Sequence, residues 1–267
     1  MIIPAILEKT PQGFGEKIAK IQTLKGVKTI QVDFADGVFV ENQTLAIQEF
    51  AEIGHLNKKY EWEAHLMIDH PTNFEHYKEA GFNTIIIHYE SFGAEHHLEE
   101  AQEAIARLGI KVGIAINPET NPSVLRYYTD NVKQFTIMSV HPGKQGNPFI
   151  PETFERIQEL RKLAPNAIIE VDGGVNAHNA AALIAAGADY LAVGSALFET
   201  EDIKQNLLGH LQFKNRGIKI SIVIFRLTPI KEAEAQYSIE SIEQRQSVYL
   251  DEMRNTIKNL DIKFKND

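Results

Sequence analysis

The chain has 267 residues, of which 43% are hydrophobic and 24% charged, an ordinary composition for a globular protein with a sizeable core. It contains no cysteine, which excludes disulfides and thiolate metal sites and predicts a cytoplasmic location in a reducing compartment. Its net charge of −9 argues against nucleic acid as a partner, because phosphate backbones bind basic surfaces. No apolar run approaches the roughly 20 residues that cross a bilayer, and we expect no membrane partner.

Short β-branched runs alternate with amphipathic stretches through the first 212 residues. The amphipathic stretches predict helices, for example at 11–24, 95–108 and 152–163, and many end near a glycine. Eight strands and eight helices in strict alternation predict an α/β fold, a (β/α)₈ TIM barrel. A doubly wound open sheet competes with this fold, but no Gly-x-Gly-x-x-Gly motif follows the first strand. The predicted strands are Ile2–Ile6, Thr29–Asp33, Glu63–Met67, Thr84–His88, Lys111–Ile116, Gln134–Met138, Ile168–Asp172 and Tyr190–Val193.

The last 55 residues differ in charge from the rest of the chain. Residues 213–267 hold 10 of the 27 Lys and Arg and 8 of the 36 Asp and Glu, a charge of +2, so the first 212 residues carry −11. Residues 218–227 predict a strand, and 238–260 predict an amphipathic helix. We therefore predict a barrel domain at 1–212 and a C-terminal strand-plus-helix extension at 213–267. The extension packs either on the outside of the barrel or on a second subunit of a homo-oligomer, and both remain open.

Two predicted strands end in an aspartate that is followed by glycine. Asp172 precedes Gly173-Gly174, and Asp33 lies just before Asp36-Gly37. Two carboxylates at the ends of separate buried strands form a candidate acid/base pair, although each aspartate could instead cap the helix after its strand. In a barrel the carboxyl ends of the strands build the active site, with phosphate held after strands 7 and 8. The residues at that place are Gly173, Gly174, Gly194 and Ser195.

An ordered series of motifs resembles the ribulose-phosphate 3-epimerases over residues 1–211. Each motif is short, and the resemblance rests on their order along the chain. The motifs are Pro4-Ala5-Ile6-Leu7, the segment 32–42, His65-Leu66-Met67-Ile68, His88-Tyr89-Glu90, Asn117-Pro118-Glu119-Thr120, the segment 138–143 with Phe149-Ile150-Pro151, the segment 171–174, and Gly194-Ser195-Ala196.

This resemblance implies conversion of D-ribulose 5-phosphate, a small phosphorylated ketose, to D-xylulose 5-phosphate by proton transfer at C3 through an enediolate. It implies that Asp33 and Asp172 carry the protons, because inversion needs one such group on each face. It also implies a divalent cation (Zn, Mn, Mg or Fe) that stabilises the enediolate oxygens and is held by Asp33, His65 and Asp172. The substrate-binding residues that it implies are Gln31, His65, Met67, Met138, Gly143, Gly146, Gly173, Gly174, Gly194 and Ser195.

The chain departs from the family's pattern at the centre of this site. Gln31 stands where the family has a histidine ligand, Ala5 replaces a serine, and Ala35 replaces a methionine. The family's Gly-Phe-Gly-Gly-Gln loop reads Gly-Lys-Gln-Gly-Asn at 143–147. An amide oxygen suits hard cations, so any metal should bind more weakly here, with Mg²⁺ or Mn²⁺ less penalised than Zn²⁺. Alternatively no metal binds, and Gln31 donates its amide N–H to the enediolate.

Three functions remain open on the sequence. The chain is an epimerase of ribulose 5-phosphate, an epimerase of another ketose phosphate such as a hexulose 6-phosphate, or a catalytically silent phosphosugar-binding barrel. Retention of both Asp33 and Asp172 argues against the silent barrel, because binding alone needs neither carboxylate. His65 is interpreted as a ligand or catalytic residue rather than a core histidine, whereas His88 and Glu90 are interpreted as structural.

Overall fold

A computed structural model describes residues 1–53, 56–143 and 146–198 of the chain. Eight parallel strands pair in sequence order, and the last strand pairs with the first, so the sheet closes into a barrel. This closure confirms the predicted fold class. The strands are β1 (Ile2–Ile6), β2 (Thr29–Ala35), β3 (Glu61–Met67), β4 (Thr84–His88), β5 (Lys111–Ile116), β6 (Gln134–Met138), β7 (Ile168–Asp172) and β8 (Tyr190–Val193).

Helices connect the strands, and one connection differs from the predicted strict alternation. Between β5 and β6 the chain forms a 3₁₀ helix at Pro122–Tyr128 instead of an α-helix. This segment contains a proline, the β-branched Val124 and two tyrosines, which are weak helix formers. Two further 3₁₀ helices cover Ile47–Glu49 and Tyr89–Ser91. The α-helices are α1 (Pro11–Gln22), α2 (Phe50–Ile53), α3 (Glu75–Ala80), α4 (Glu95–Arg107), α5 (Thr153–Leu163), α6 (Ala180–Ala186) and α7 (Ser195–Phe198).

The ends of the helices follow from local sequence. Helix α1 begins after Thr10, whose hydroxyl oxygen accepts a hydrogen bond from the backbone N–H of Gly13 at 3.1 Å. Pro11 fills the first turn of α1, where its missing N–H costs nothing. Helix α3 ends at Gly81, which has a φ of 104° in the left-handed region that favours glycine.

The main hydrophobic core lies between the strands and the helices. Phe34 of β2 packs there against the ring of Phe50 at 5.3 Å and that of Tyr77 at 5.2 Å between centroids. Because side chains alternate along a strand, residues of β2 next to Phe34 face the other way, into the barrel. Gln31 and Asp33 therefore lie inside the barrel, where both are buried.

The predicted extension at 213–267 lies outside the described residues, as do Lys144 and Gln145 in the loop after β6. The domain boundary at 212, the extension and the homo-oligomer stay predictions. Within the described ranges, no helix has the length and apolar character needed to cross a membrane.

Candidate active site

Three buried side chains with metal-ligand chemistry meet at the carboxyl end of the barrel. Asp33 lies near the end of β2, His65 near the end of β3, and Asp172 at the end of β7. The register of β2 and β3 places Asp33 directly beside His65, and closure of the barrel brings β7 to the same end. One ligand atom from each residue lies within 4.8 Å of the others, so this buried group could hold a metal ion.

The imidazole of His65 contacts both carboxylates. Its Nδ1 lies 3.1 Å from Oδ1 of Asp33 and 3.1 Å from Oδ2 of Asp172. Burial alone would lower the pKa of His65, but the hydrogen bonds and charges of Asp172 and Asp33 outweigh burial and raise the pKa to about 10. When no cation is bound, His65 is therefore an imidazolium at neutral pH. A cation that binds Nδ1 must displace its proton.

The two carboxyl groups are held in a buried setting but remain accessible from one side, since each residue is 8% exposed. Burial raises the pKa of Asp33, the hydrogen bond with His65 opposes this rise, and the charge of Asp172 adds to it. Asp33 therefore holds a proton more readily than an ordinary aspartate. Two carboxyl groups in this arrangement can act as one acid and one base at the same time.

Gln31 lies against this group and is fully buried. Its Nε2 donates hydrogen bonds to Oδ1 of Asp33 at 2.8 Å and to Oδ2 of Asp172 at 2.7 Å. The same nitrogen is 3.4 Å from Nδ1 of His65. An amide nitrogen has no lone pair to give a cation, so Gln31 in this orientation supplies hydrogen bonds instead of a fourth ligand.

A second histidine, His88, contacts His65 on the side of the ring away from the carboxylates. The sequence interpretation missed this contact. Nε2 of His65 lies 2.9 Å from Nε2 of His88, and burial keeps the pKa of His88 low. Glu90 follows His88 and accepts hydrogen bonds from the backbone N–H of Asn117 at 2.8 Å and from the hydroxyl of Thr120. Oε2 of Glu90 lies 3.5 Å from Nδ1 of His88. The contact between the two Nε2 atoms leaves Nδ1 of His65 facing the carboxylates. The available signal was the place of His88 at the end of the neighbouring strand β4.

A second buried carboxyl pair lies one layer deeper in the barrel and was not predicted. Glu63 and Glu170 lie two residues before His65 and Asp172 on the same strands. Nε2 of Gln134 donates to both carboxyl groups, at 3.1 Å each. Burial raises the pKa of Glu63 to about 7 and raises that of Glu170, to which the charge of Glu63 contributes. Burial and the repulsion of like charges both favour the protonated forms of this pair.

Above the carboxylates the barrel opens into a cavity of about 530 Å³, a figure that includes the open mouth. Asp33 and Asp172 line it together with Ala5, where the family has a serine. Gln31 is the member of the predicted substrate-binding set that does not line the cavity. The members that do are His65, Met67, Met138, Gly143, Gly146, Gly173, Gly174, Gly194 and Ser195.

Two of the predicted glycines stand where a side chain would not fit. Gly173 has a φ of 107°, and a Cβ there would lie 2.3 Å from Cγ2 of Val140. Gly143 has a φ of 103°, and a Cβ there would lie 2.7 Å from Cβ of Val40. The loops after β2, β6 and β7 therefore pack closely through these glycines. The sequence interpretation missed the two valines, because their partners are distant along the chain.

Comparison with known proteins gives a consistent answer for the barrel. The model of the ribulose-phosphate 3 epimerase family matches residues 1–198. The ribulose-phosphate 3-epimerase of Aquifex aeolicus (strain VF5) is 34% identical over 215 residues, which cover 76% of this chain and 92% of that protein. The ribulose-phosphate 3-epimerase of Escherichia coli K12 is 31% identical over 210 residues, 77% of this chain and 92% of the relative. The chloroplastic ribulose-5-phosphate-3-epimerase of Arabidopsis thaliana is 35% identical over 217 residues, which cover 78% of this chain and 75% of that protein.

Solved structures give the same architecture. The crystal structure of 3-hexulose-6-phosphate synthase from Salmonella typhimurium superposes with a TM-score of 0.61, covering 78% of this chain and 95% of the other. Phosphoribosyl anthranilate isomerase from Thermus thermophilus superposes with a TM-score of 0.55, covering 79% of this chain and 96% of the other. The identities are 16% and 17%, so these likenesses show the fold alone.

Proposed function

This chain belongs to the ribulose-phosphate 3-epimerase family, and we propose on that premise that it interconverts D-ribulose 5-phosphate and D-xylulose 5-phosphate. Family membership makes the chain an isomerase, an epimerase that acts on a carbohydrate. The observation that carries the proposed substrate and mechanism is the contact of Asp33 and Asp172 with one amide and one imidazole at the cavity. That contact holds two proton carriers within reach of one small molecule.

Epimerisation at C3 breaks the C3–H bond and forms it again on the opposite face. In the proposed reaction one carboxylate takes the proton from C3, and the electron pair of that bond forms a C2–C3 double bond. The C2 carbonyl oxygen takes the negative charge, which gives a planar enediolate. The second carboxyl group then delivers its proton to the other face of C3, and the C2 carbonyl reforms. A positioned acid or base contributes about 10²–10⁴-fold to such a step.

We assign the acid and base roles to the two aspartates. The raised pKa of Asp33 supports its role as the carboxylic acid while Asp172 is the base. After one turnover the proton lies on Asp172, so the pair is then set for the reverse reaction. His65, which contacts both carboxylates, and His88, which orients His65, keep the two oxygens in place.

A divalent cation would stabilise the enediolate oxygens as a Lewis acid when bound. Asp33, His65 and Asp172 are the residues that would hold it, and a cation there would have to displace the hydrogen bonds that Gln31 donates to the two carboxylates. Mg²⁺ and Mn²⁺ match the two carboxylates best.

The cavity wall supports a phosphorylated sugar as the ligand. Met67 and Met138 form an apolar side next to the carboxylates, which limits access of water to the enediolate. Gly174, Gly194 and Ser195 line the cavity after β7 and β8, where barrel enzymes bind phosphate through backbone N–H groups.

A second candidate, an epimerase of a hexulose 6-phosphate, is supported by one observation. Ala5 lines the cavity in place of the family's serine, so a smaller side chain leaves room for a longer sugar. The additional carbon changes the distance between the phosphate and the reacting carbon, which makes the two substrates separable in an assay.

The test is a substrate panel with the full-length protein, followed by ¹H NMR. The panel contains D-ribulose 5-phosphate, several hexulose 6-phosphates and unphosphorylated D-ribulose. We expect kcat/KM for D-ribulose 5-phosphate to exceed that of each hexulose phosphate by at least about tenfold, a typical effect of one misplaced carbon. Conversion of a hexulose phosphate with no conversion of D-ribulose 5-phosphate would contradict the proposal in favour of the second candidate.

A further inference from the structure

Gln31 stands where the family's pattern has a histidine ligand, so this position has a different chemistry in this chain. It lies on β2 between Ala5 of β1 and Glu63 of β3 in the strand register, and none of its surface is exposed. A fully buried amide needs hydrogen-bond partners, because an unpaired polar group in a barrel interior is costly. Its partners are therefore a guide to its role.

Both N–H groups of the Gln31 amide are used by the candidate proton carriers. Nε2 lies 2.8 Å from Oδ1 of Asp33 and 2.7 Å from Oδ2 of Asp172, which are short distances for an amide donor. The opposite orientation would bring three acceptor oxygens together at these distances, so the chemistry of the carboxylates selects the nitrogen. Oε1 has no hydrogen-bond partner among the described residues.

The two oxygens that accept from Gln31 are the same atoms that face Nδ1 of His65. A cation held by Asp33, His65 and Asp172 through these atoms would therefore compete with both amide hydrogen bonds. Gln31 could join as a ligand only through Oε1, which requires the amide to turn over. The amide and a cation are thus alternative ways to bring two buried carboxylates together.

We propose that Gln31 is a positioning residue that bridges Asp33 and Asp172 in place of a metal ion and keeps the pair ready for proton transfer without one. This inference rests on the proposed function and extends it to the cofactor requirement. The amide gives each carboxylate one directed hydrogen bond, whereas a dication would bind both oxygens directly. The chain therefore exchanges metal dependence for a fixed, neutral bridge.

The first arm of the test measures metal binding and does not depend on activity. Zn²⁺ and Mn²⁺ are titrated by calorimetry into chelator-treated full-length protein, as the parent, as Gln31→His and as the surface control Gln12→Leu. We expect Gln31→His to bind Zn²⁺ at least about tenfold more tightly than the parent and the control, because an imidazole adds a nitrogen ligand where the amide had blocked the site. Equal Zn²⁺ affinity in parent and Gln31→His would overturn the proposal.

The second arm measures turnover of D-ribulose 5-phosphate. We expect the chelator-treated parent to keep its activity when Mn²⁺ is added or left out. Gln31→Leu should lose about 10²-fold or more in kcat with KM little changed, since it removes preorganised donors at the reacting groups. In Gln31→His, added metal should restore turnover, which a merely structural role for Gln31 would not produce. Loss of parental activity on chelation, with recovery on adding Mn²⁺, would overturn the proposal.

The two arms separate this inference from the proposed function. If no ketose phosphate is converted by the parent, the proposed function fails, and the calorimetric comparison still decides whether the amide blocks the metal site. Thermal melting of each variant identifies a Gln31→Leu protein that does not fold, and Gln31→His then decides the outcome in both arms.

Discussion

Replacing Asp172 with asparagine removes one proton carrier and keeps the shape of the side chain. Oδ2 of Asp172 accepts the 2.7 Å hydrogen bond from Gln31 and faces Nδ1 of His65 at 3.1 Å. Asparagine can present its carbonyl oxygen to both donors, so these contacts survive. We therefore expect Asp172→Asn to fold and to keep the cavity.

The size of the effect follows from the lost proton transfer. A positioned acid or base contributes about 10²–10⁴-fold in rate, which at 1.36 kcal/mol per tenfold is about 3–5 kcal/mol of the barrier. The predicted phosphate contacts at Gly174, Gly194 and Ser195 do not involve the Asp172 side chain. The change should therefore lower kcat by about 10² or more and leave KM within a few-fold.

Steady-state kinetics with D-ribulose 5-phosphate, together with calorimetric binding of a phosphorylated inhibitor, measures both parts. The matched control is Asp130→Asn, which removes a carboxylate from an exposed position outside the cavity and should leave kcat unchanged. Activity of Asp172→Asn within a few-fold of the parent would refute the assignment of Asp172 as a proton carrier.

Two further predictions concern phosphate binding and stability. Gly194→Val should raise KM for D-ribulose 5-phosphate strongly and lower the melting temperature little, because valine blocks backbone donors at the predicted phosphate site. An unchanged KM would place the phosphate elsewhere. The second prediction concerns Glu63, whose pKa is raised to about 7 by burial. The contribution of Glu63 to the free energy of unfolding is therefore full below its ordinary pKa of 4.5. It is lost as the pH rises through 7, because the unfolded chain ionises at a lower pH than the folded protein. Glu63→Gln, which cannot ionise, should therefore gain stability relative to the parent between pH 4.5 and 7 in urea unfolding, and a difference that does not change with pH would contradict the shift.

The barrel could be predicted from the sequence because its strands carry strong local signals. Six of the eight predicted strands have the observed bounds, and the other two, β2 and β3, extend by two residues at one end. Runs of β-branched residues between helix stop signals suffice for this, since the strands are buried on both sides along most of their length. The 3₁₀ helix at Pro122–Tyr128 was not predicted, because amphipathic spacing does not distinguish a 3₁₀ turn from a short α-helix.

The candidate site was predicted as a set of residues, but its internal contacts were not. Strand-end position and motif order located Asp33, His65 and Asp172, which the structure brings together. The contact of His88 with His65 and the sharing of Gln31 between two carboxylates depend on neighbouring strands and on side-chain rotamers. Sequence position does not determine either of them.

The most direct test of the two-aspartate account is exchange of the C3 proton of D-ribulose 5-phosphate in D₂O. Parent, Asp33→Asn and Asp172→Asn are incubated with the substrate, and deuterium at C3 is followed by ¹H NMR. The account predicts that the parent incorporates deuterium at C3 in both epimers and that each variant forms xylulose 5-phosphate at about 1% of the parental rate or less. Formation of xylulose 5-phosphate without deuterium at C3, or at an undiminished rate in either variant, would contradict proton transfer by this pair.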